Sequence, residues 1–364
     1  MSKPLYLEIY KSLKSKILNG NYPAGSKLPN IATLTEEFSV SKITVEKSMK
    51  LLVDDRLITR QKGRGSFVNS DEVALINQEN QTKPQKIGFI FTDFYPHYGI
   101  DLIKSILDSS SDQYEVLFAL THDQVENEKA TIKKFEKENV DGIIVLPARS
   151  KYLNSELVQL VIDQFPLVFI DLSIHLDKQF SIKTDNRGAV KAVMRYILEN
   201  NGPQNISIMY GSSDDIVQHE RIQEIKDFCT DQSLRIPKEN WISNIYSSPH
   251  SFSDNDVSNM VHVLQARPNI HTIFALNYEV AETIKYAAEK INLRIPEDLK
   301  IICFDAPKTL YGIPFFTHIQ QDETEMGKKA LSLLTKLINH EQIVNPTITI
   351  PTKLIVGKSF PKHI

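Results

Sequence analysis

The basic residues between positions 60 and 65 are the clearest chemical signal in the chain. The stretch "RQKGRGSFV" sets Arg60, Lys62 and Arg64 around Gly63 and Gly65. Because glycine adopts positive φ without strain, this spacing predicts a tight turn whose backbone can approach another surface closely. Cations beside such a turn suit a phosphate backbone or a minor groove, so we interpret these five residues as DNA-binding.

A second group of polar residues opens a predicted helix shortly before this turn. Val45, Met49 and Leu52 recur at helical spacing, and Ser41 is suited to cap the start of the helix. The exposed first turns then offer hydroxyl groups and cations, which reach phosphates and base edges when a helix enters the major groove. These residues are Ser41, Lys42, Thr44 and Lys47.

Two further helical patterns precede this helix, and two short strands follow it. The first pattern stops at Gly20, with Pro23 just beyond, and the second runs from Ile31 to Phe38. The strands are predicted over residues 57–61 and 66–68, on either side of the glycine turn. This order predicts a helix-turn-helix followed by a hairpin, within a domain at residues 1–69.

Charge is unevenly distributed along a chain whose formal net charge is -3. Residues 1–69 contain 12 Lys and Arg against 6 Asp and Glu, whereas the remaining residues contain 30 against 39. A compact basic segment attracts polyanions and an acidic remainder repels them, so duplex DNA is the expected partner of residues 1–69. A length of 364 residues exceeds what one hydrophobic core usually organises, which indicates further domains.

From Lys86 onward, apolar strands alternate with amphipathic helices, which is typical of parallel βαβ units. "KIGFIFT", "YEVLFAL", "VDGIIVLP" and "PLVFID" form one set of strands, and "NISIMYG", "HTIFALN" and "LKIICFD" form another. The pattern predicts two doubly wound α/β lobes after a polar linker at residues 70–85. We assign the first lobe to residues 86–172 and 308–340, and the second lobe to residues 184–305 and 341–364.

Polar residues at the carboxyl ends of these strands are candidate ligand contacts, because ligands of open α/β sheets bind there. Aspartate, asparagine and arginine can pair with ring hydroxyls, and an aromatic ring packs against the C–H face of a sugar. The mixture therefore indicates a sugar site. Its residues are Tyr95, His97, Tyr98, Arg149, Asp171, Asn277 and Asp305. Two alternatives stay open. His97 is also compatible with a surface position, and Asp171 is also compatible with capping a turn.

Two family resemblances are carried by these motifs. Residues 4–68 resemble the winged-helix domain of the GntR family of bacterial transcription regulators, through "LTEEFSVSKITVEKSMKLLVDDRLI" and the wing "RQKGRGSFV". Residues 86–358 resemble the effector-binding module of the LacI and GalR family, through "HERIQEIKDF", "IFALNYEVAETI", "RIPEDLKIICFD" and "THIQQDETEMGKKALSLL". The combination is similar to that of arabinose repressors and of other regulators of sugar-use operons.

The resemblances imply a homodimeric transcription regulator, most simply a repressor that a pentose or deoxyhexose releases from operator DNA. By position, they imply that the ligand is held by Arg221, Asn277, Asp305 and Gln321, with Asp171 and Arg149 on the facing lobe. Glu46 stands where an arginine is common, so it either accepts a hydrogen bond from cytosine or turns away and pairs with a lysine. Leu172 and Tyr278 also depart from the family pattern, which leaves the sugar open.

Other classes of function have weaker support. "VGKS" at residues 356–359 has Thr352 where a phosphate-binding loop requires glycine, and the histidines and cysteines form neither a nucleophile motif nor a metal spacing. No run of 18 apolar residues is present, and "MSKPLYLEIYKSLKSKIL" lacks the continuous apolar core that a signal peptide requires. We expect a cytoplasmic protein without enzyme activity, metal or cofactor. The alternatives are a ligand-activated or corepressor-dependent regulator that responds to a non-sugar metabolite, and a sugar-modifying enzyme.

Overall fold

The computed structural model describes residues 4–18, 20–71, 73, 84–110, 113–148, 153–171, 179–201, 205–211, 216–245, 253–309 and 311–362. The chain forms two compact units, residues 1–84 and residues 85–364, which we call the head and the body. Most of the predicted linker at residues 70–85 lies outside the described residues. No helix in the described ranges is both long and apolar enough to cross a bilayer.

The head places a hairpin after a helix-turn-helix. Its elements are α1 (Leu5–Leu18), α2 (Ile31–Glu37), α3 (Lys42–Asp54), β1 (Ile58–Gln61) and β2 (Gly65–Val68). Asn30 and Ser41 cap α2 and α3, because each side-chain oxygen accepts the backbone N–H three residues further on. The apolar stripes of the helices meet in a small core that includes Leu13, Ile17, Leu34, Val45, Met49 and Leu52.

The hairpin is antiparallel, with Gln61 opposite Gly65. The chain before α2 runs beside β2, because the Leu28 N–H donates to Ser66 O and the Val68 N–H donates to Ser26 O, both at 2.9 Å. This extra segment ties the hairpin to the helices. The arrangement confirms the predicted winged helix-turn-helix.

The body alternates strands and helices along the chain. The strands are β3 (Gln85–Phe91), β4 (Tyr114–Leu120), β5 (Gly142–Val145), β6 (Leu167–Ile170), β7 (Phe180–Thr184), β8 (Ile206–Met209), β9 (Trp241–Ile242), β10 (Thr272–Ala275), β11 (Lys300–Phe304), β12 (Thr317–Gln320), β13 (Thr347–Ile350) and β14 (Lys353–Ile355). The helices are α4 (Ile100–Ser109), α5 (Val125–Lys137), α6 (Ser155–Ile162), α7 (Asn186–Asn201), α8 (Ile216–Asp231), α9 (Asp254–Gln265), α10 (Tyr278–Lys290) and α11 (Glu323–Ile338). A short 3-10 helix spans Lys238–Asn240.

Within the described residues, these strands form two six-stranded sheets. The first has the order β13-β7-β6-β5-β3-β4 and is parallel throughout. The second has the order β14-β12-β11-β10-β8-β9, and only the pairing of β12 with β14 is antiparallel. Strands such as β5, β6, β8 and β10 are buried along their whole length, because helices cover both faces of each sheet. The two predicted α/β lobes are thereby confirmed.

The division of the chain between the lobes differs from the expected one. We expected residues 308–340 in the first lobe, and α11 packs there, but β12 pairs with β11 in the second sheet. We expected residues 341–364 in the second lobe, and β14 lies there, but β13 pairs with β7 in the first sheet. The chain therefore passes between the lobes after β7, after β12 and between β13 and β14. Lobe membership follows from which strands share a hydrogen-bond ladder, and β7 was not identified as a strand from the sequence.

Candidate nucleic-acid interface and interlobe cleft

The start of α3 carries polar side chains predicted to contact DNA. Ser41 Oγ accepts the Thr44 N–H at 3.3 Å and lies 2.8 Å from Thr44 Oγ1, so the two hydroxyls belong to one local network. Lys42 and Lys47 are exposed, and Lys47 Nζ lies 5.8 Å from the centroid of the Tyr6 ring. The N-terminus of a helix carries partial positive charge, so the helix and these cations attract the same anions.

Glu46 pairs with a lysine of the same helix. Its Oε1 lies 3.8 Å from Lys42 Nζ, one helical turn away, and both side chains are exposed. This contact favours the interpretation in which Glu46 neutralises a cation over the one in which it reads cytosine. An exposed pair at this spacing is worth about 0.3–0.5 kcal/mol, so DNA can displace it at little cost.

A groove of about 1040 Å³ lies among α2, α3 and the hairpin. Asn30, Thr35 and Glu36 contribute to its wall, and five cations line it against this one carboxylate. The cations are Lys27, Lys42, Arg60, Lys62 and Arg64. The structure therefore brings the predicted cations of the hairpin and one cation of α3 to a single positively charged surface.

Two glycines shape the tip of the hairpin as predicted. Gly63 has a φ of 76° and Gly65 has a φ of 117°, a region that favours glycine. A Cβ atom at position 65 would lie 2.7 Å from Lys27 Cε, so the end of the Lys27 side chain would have to move aside for any other residue. Lys27 was missed by sequence reasoning. The antiparallel bridge between Lys27 and Phe67, which only the structure shows, brings Lys27 beside the hairpin.

The second candidate site lies in the body, where strands of both sheets end. Asp171 follows β6 and Asp305 follows β11, with φ values of 48° and 59°. The Asp171 N–H donates to Ile182 O, and the Asp305 N–H donates to Ile319 O, both at 2.9 Å. Aspartate tolerates this left-handed region better than most residues. The repeated geometry places one carboxylate at the equivalent edge of each sheet.

Hydrogen bonds connect the two carboxylates across the lobes. Tyr98 Oη donates to Asp171 Oδ2 at 2.7 Å, and the Thr184 N–H donates to Asp171 Oδ1 at 3.0 Å. The Thr184 hydroxyl donates to Gln321 Oε1, and Gln321 Nε2 donates to Asp305 Oδ2 at 2.7 Å. Four residues predicted to bind ligand are thereby brought together, and Thr184 joins them.

The environment of Asp305 keeps this carboxyl group partly protonated near neutral pH. Burial raises the pKa of Asp305 to about 7, although Arg221, His97 and the hydrogen bond from Gln321 act in the opposite direction. A carboxyl group in this range can both donate and accept hydrogen bonds. The hydroxyl groups of a ligand also donate and accept hydrogen bonds, so they can pair with Asp305 in either protonation state.

Arg221 is buried and has a fixed orientation. Its Nε donates to Asn186 Oδ1 at 3.0 Å, and its Nη1 donates to Leu276 O at 2.7 Å. Its Cζ lies 3.6 Å from the centroid of the Phe304 ring. Asn186 Nδ2 donates in turn to Glu220 Oε2 at 2.7 Å, so the guanidinium is held by a network across α7 and α8.

His97 extends from the loop after β3 in the first lobe to α10 in the second. Its Nε2 lies 3.3 Å from Glu279 Oε1, and both side chains are buried. The His97 ring centroid lies 4.7 Å from that of Tyr278 and 5.7 Å from that of Tyr95. The surface position considered for His97 is therefore wrong, and the residue lies in a cluster of aromatic rings between the lobes.

Asn277 and Arg149 are two further residues that were predicted to bind ligand. Asn277 caps α10, because its Oδ1 accepts the Val280 N–H at 3.2 Å. Arg149 lies outside the described residues, as does Leu172. The Asp171 carboxylate accepts hydrogen bonds from Tyr98 Oη and from the N–H of Thr184. Residues 172–178, which follow Asp171, lie outside the described residues, so the capping of a turn there stays a prediction.

The cleft combines carboxyl, amide and guanidinium groups with aromatic rings, a set that suits a ligand with several hydroxyl groups and a C–H face. Among the described residues, no group of three or more His, Cys, Asp and Glu could hold a metal ion. Thr184 and Glu279 were missed by sequence reasoning. Thr184 ends β7, whose alternation in "FSIKT" was the available signal, and Glu279 follows Asn277 by two residues.

Family models match both units of the chain. Residues 5–68 match the model of bacterial regulatory proteins of the gntR family, and residues 197–360 match the periplasmic binding protein-like domain. The chain thus combines a GntR-type helix-turn-helix domain with a periplasmic-binding-protein-like domain, as its motifs predicted.

Several known transcription regulators are similar to this chain over most of its length. The arabinose metabolism transcriptional repressor of Halalkalibacterium halodurans is 21% identical over 342 residues, which cover 93% of this chain and 90% of that protein. The ribose operon repressor of the same organism is 25% identical over 275 residues, or 75% of this chain and 78% of that protein. The transcription regulator CcpA of Lactococcus lactis has the same fold, with a TM-score of 0.65 at 20% identity over 76% of this chain and 99% of that structure.

Proposed function

We propose that this chain is a sequence-specific DNA-binding transcription regulator, a repressor of a carbohydrate-utilisation operon that a small sugar releases from its operator. The observation that carries the proposal is the cationic groove of the head, on a chain whose body holds a carboxylate at the equivalent edge of two facing sheets. The similarity to an arabinose and a ribose repressor supports the same function. The protein binds its sugar without converting it, and it acts in the cytoplasm.

In this proposal the head binds duplex DNA through two elements. The first turns of α3 enter the major groove, where Ser41, Lys42, Thr44 and Lys47 reach phosphates and base edges. The hairpin tip lies along the neighbouring backbone or minor groove, because Gly63 and Gly65 permit close approach and the cations around them neutralise phosphates.

The salt dependence of DNA binding tests the role of the hairpin. Replacing Arg64 by alanine should weaken binding to all duplexes and reduce the slope of log K against log salt by about one unit for each phosphate that is no longer neutralised. Lys329→Ala is a matched control, because Lys329 is an exposed cation on α11 of the body. If Arg64→Ala leaves the slope unchanged, the hairpin does not contact the DNA backbone as proposed.

The effector in this proposal is a pentose or deoxyhexose bound between the lobes. Asp171 and Asp305 form hydrogen bonds with its hydroxyl groups from opposite sides, and Arg221 donates hydrogen bonds to its oxygens. Further contacts are assigned to Tyr95, His97, Tyr98, Arg149, Asn277 and Gln321. A thermal-shift screen against common monosaccharides tests this, because a ligand that binds only the folded form raises the melting temperature by mass action.

Asp305→Ala should abolish the response to sugar while operator binding persists, because Asp305 belongs to the body. A shift caused by a metabolite other than a sugar would instead favour the alternative effector class. Consumption of a sugar by the purified chain would contradict the proposal and favour an enzyme.

A homodimer is the oligomeric state we propose, and exposed apolar side chains support it. Ile100 and Leu107 of α4 are 55% and 44% exposed, and Phe94 and Phe118 contact each other at a centroid distance of 5.9 Å. The second lobe exposes Tyr286, Tyr311 and Ile313. Exposed apolar patches on both lobes are typical of protein interfaces, and a two-fold axis would bury the same residues on two copies.

The coupling between sugar and DNA is proposed to pass through the arrangement of the lobes. A ligand changes DNA affinity only through its differential affinity for two conformations, typically about 1–3 kcal/mol of coupling. Operator affinity measured with and without sugar tests the direction. Weaker binding with sugar is expected of a repressor of this kind, whereas tighter binding would indicate a ligand-activated or corepressor-dependent regulator.

A further inference from the structure

Ile43 is a large apolar side chain on the outward side of α3. It is 66% exposed and is the second residue of the helix, between Lys42 and Thr44. Val45 and Met49, in contrast, are buried in the core of the head. Since each residue of a helix advances by about 100°, Ile43 points about 160° away from Val45. It therefore lies on the face that the core leaves to solvent.

Packing and helix stability do not account for isoleucine at this position. Ile43 is not among the described residues that form or pack against the core of the head. A β-branched residue in an exposed helix also forms helix less readily than alanine, by up to about 0.7 kcal/mol. The residue therefore lowers helix stability and adds nothing to the core.

Two lysines and Glu46, which pairs with Lys42, surround Ile43. Lys42 precedes it and lines the groove of the head, and Lys47 is exposed one helical turn further on, on the same side of α3. Cations contact phosphates and so position a helix on DNA without reading its sequence. An apolar side chain among them is placed to contact whatever apolar group the DNA presents.

We propose that Ile43 reads a thymine by contacting its C5 methyl group in the major groove, an inference that rests on the proposed DNA-binding function. Side chains near the start of a recognition helix contact base edges, and thymine is the base that presents a methyl group there. Isoleucine has no hydrogen-bonding group, so it leaves the amino group of cytosine or adenine without a partner. Ile43 thus favours thymine by an attractive contact and by excluding the polar alternatives.

Replacing thymine by deoxyuridine tests the contact, because only the C5 methyl group is removed. Duplexes that the full chain binds are selected from a random library, and each thymine of the selected site is then replaced in turn. One thymine, or one in each half of a symmetric site, should bind about fourfold more weakly after replacement, the value for one buried methyl group. For Ile43→Ala, the same replacement should leave the affinity unchanged.

Two control variants separate this contact from general effects. Leu5 is 58% exposed on α1, so Leu5→Ala removes a comparable apolar side chain and should keep the discrimination between thymine and deoxyuridine. Lys47→Ala should weaken binding to both duplexes equally. The melting temperatures of Ile43→Ala and Leu5→Ala should be no lower than that of the wild type, because neither residue belongs to the core and alanine forms helix at least as readily as either.

Two outcomes would overturn the inference, and they are distinguishable. If the wild type binds a selected site but no thymine in it distinguishes the wild type from Ile43→Ala, Ile43 does not read thymine, although the head still binds DNA. If the wild type binds no duplex even at low ionic strength, the proposed DNA-binding function fails as well.

Discussion

At the residue scale, two aspartates of the same backbone geometry have different surroundings. Asp171 accepts hydrogen bonds from the Tyr98 hydroxyl and the Thr184 backbone, whereas Asp305 is buried and accepts one from the Gln321 amide. Burial raises the pKa of Asp305 to about 7. Asp171 and Asp305 thus lie at equivalent edges of the two sheets, in different surroundings, and are connected through Thr184 and Gln321.

The stability of the body should depend on pH through Asp305. Its pKa is about 7 in the folded chain against an ordinary value of 3.8, so the folded state keeps a proton that the unfolded state releases. This contribution is fully present below about pH 4 and is lost as pH rises through about 7. Asp305→Asn removes it, so the melting temperature of the variant relative to wild type should rise between about pH 5 and about pH 8.

Asp298→Asn is the control for this titration. The hydrogen bonds from Arg294 hold the pKa of the exposed Asp298 well below its usual range. Asp298 is therefore ionised in the folded and unfolded states throughout this interval, and its replacement should shift the melting temperature equally at both pH values. A parallel response of the two variants would contradict the role of Asp305.

At the element scale, the hairpin tip depends on backbone conformation as well as on charge. Gly63 and Gly65 both have positive φ, but their surroundings differ. A Cβ at Gly63 meets nothing within 4 Å, whereas a Cβ at Gly65 would meet Lys27 Cε. A substitution at Gly63 therefore tests only the backbone conformation of the turn. A substitution at Gly65 also tests the packing of Lys27 against the tip of the hairpin.

Gly65→Ala should weaken DNA binding several-fold, because a φ of 117° strains a residue that carries a Cβ and the new Cβ shifts the end of the Lys27 side chain beside the groove. Gly63→Asn should bind nearly as the wild type does, since asparagine tolerates the left-handed region and has space there. Fluorescence anisotropy on one labelled duplex at fixed ionic strength measures both variants. Equal affinity of Gly65→Ala and wild type would show that the approach of Lys27 to the tip is dispensable.

At the scale of the whole molecule, the two lobes of the body are joined by chain and by side chains. The chain passes between them at the ends of β7, β12 and β13. Lys183 Nζ also lies 2.8 Å from Glu220 Oε1, and His97 lies beside Glu279. These contacts help to hold the two lobes in one relative position. A ligand bound between the lobes must change that position if it is to alter DNA binding.

His97→Ala should favour an open arrangement of the lobes and weaken sugar binding, because it removes an interlobe contact that the closed arrangement needs. Small-angle scattering should show a larger radius of gyration. His122→Ala is the matched control, since His122 Nδ1 lies 3.2 Å from Asp93 Oδ2 within the first lobe. A change of the same size in both variants would indicate that the His97 contact does not hold the lobes together.

Leu107→Glu should dissociate the proposed dimer, because a two-fold interface would bring two new carboxylates into an apolar contact. Sedimentation velocity should then detect monomers at concentrations where the wild type is dimeric. Ile162→Glu introduces the same charge at an exposed isoleucine of α6 and should remain dimeric. An unchanged sedimentation coefficient for Leu107→Glu would exclude α4 from the interface.

The sequence by itself determined the features that depend on neighbouring residues. Ser41 as a cap, the glycine turn of the hairpin and the alternation of strands and helices follow from patterns a few residues long, because capping, φ preference and amphipathicity are local properties. The carboxyl ends of β6 and β11 were also accessible in this way. Asp171 and Asp305 could therefore be predicted as cleft residues.

Only the tertiary structure decided which distant segments meet. β12 and β13 joined the sheets opposite to those expected, and Thr184 and Glu279 joined the cleft without a sequence signal strong enough to select them. A strand pairs with whichever ladder offers hydrogen bonds and buried surface, and that competition is between segments far apart in the chain. Local patterns carry no information on its outcome, because the partners of each segment are fixed by packing of the whole body.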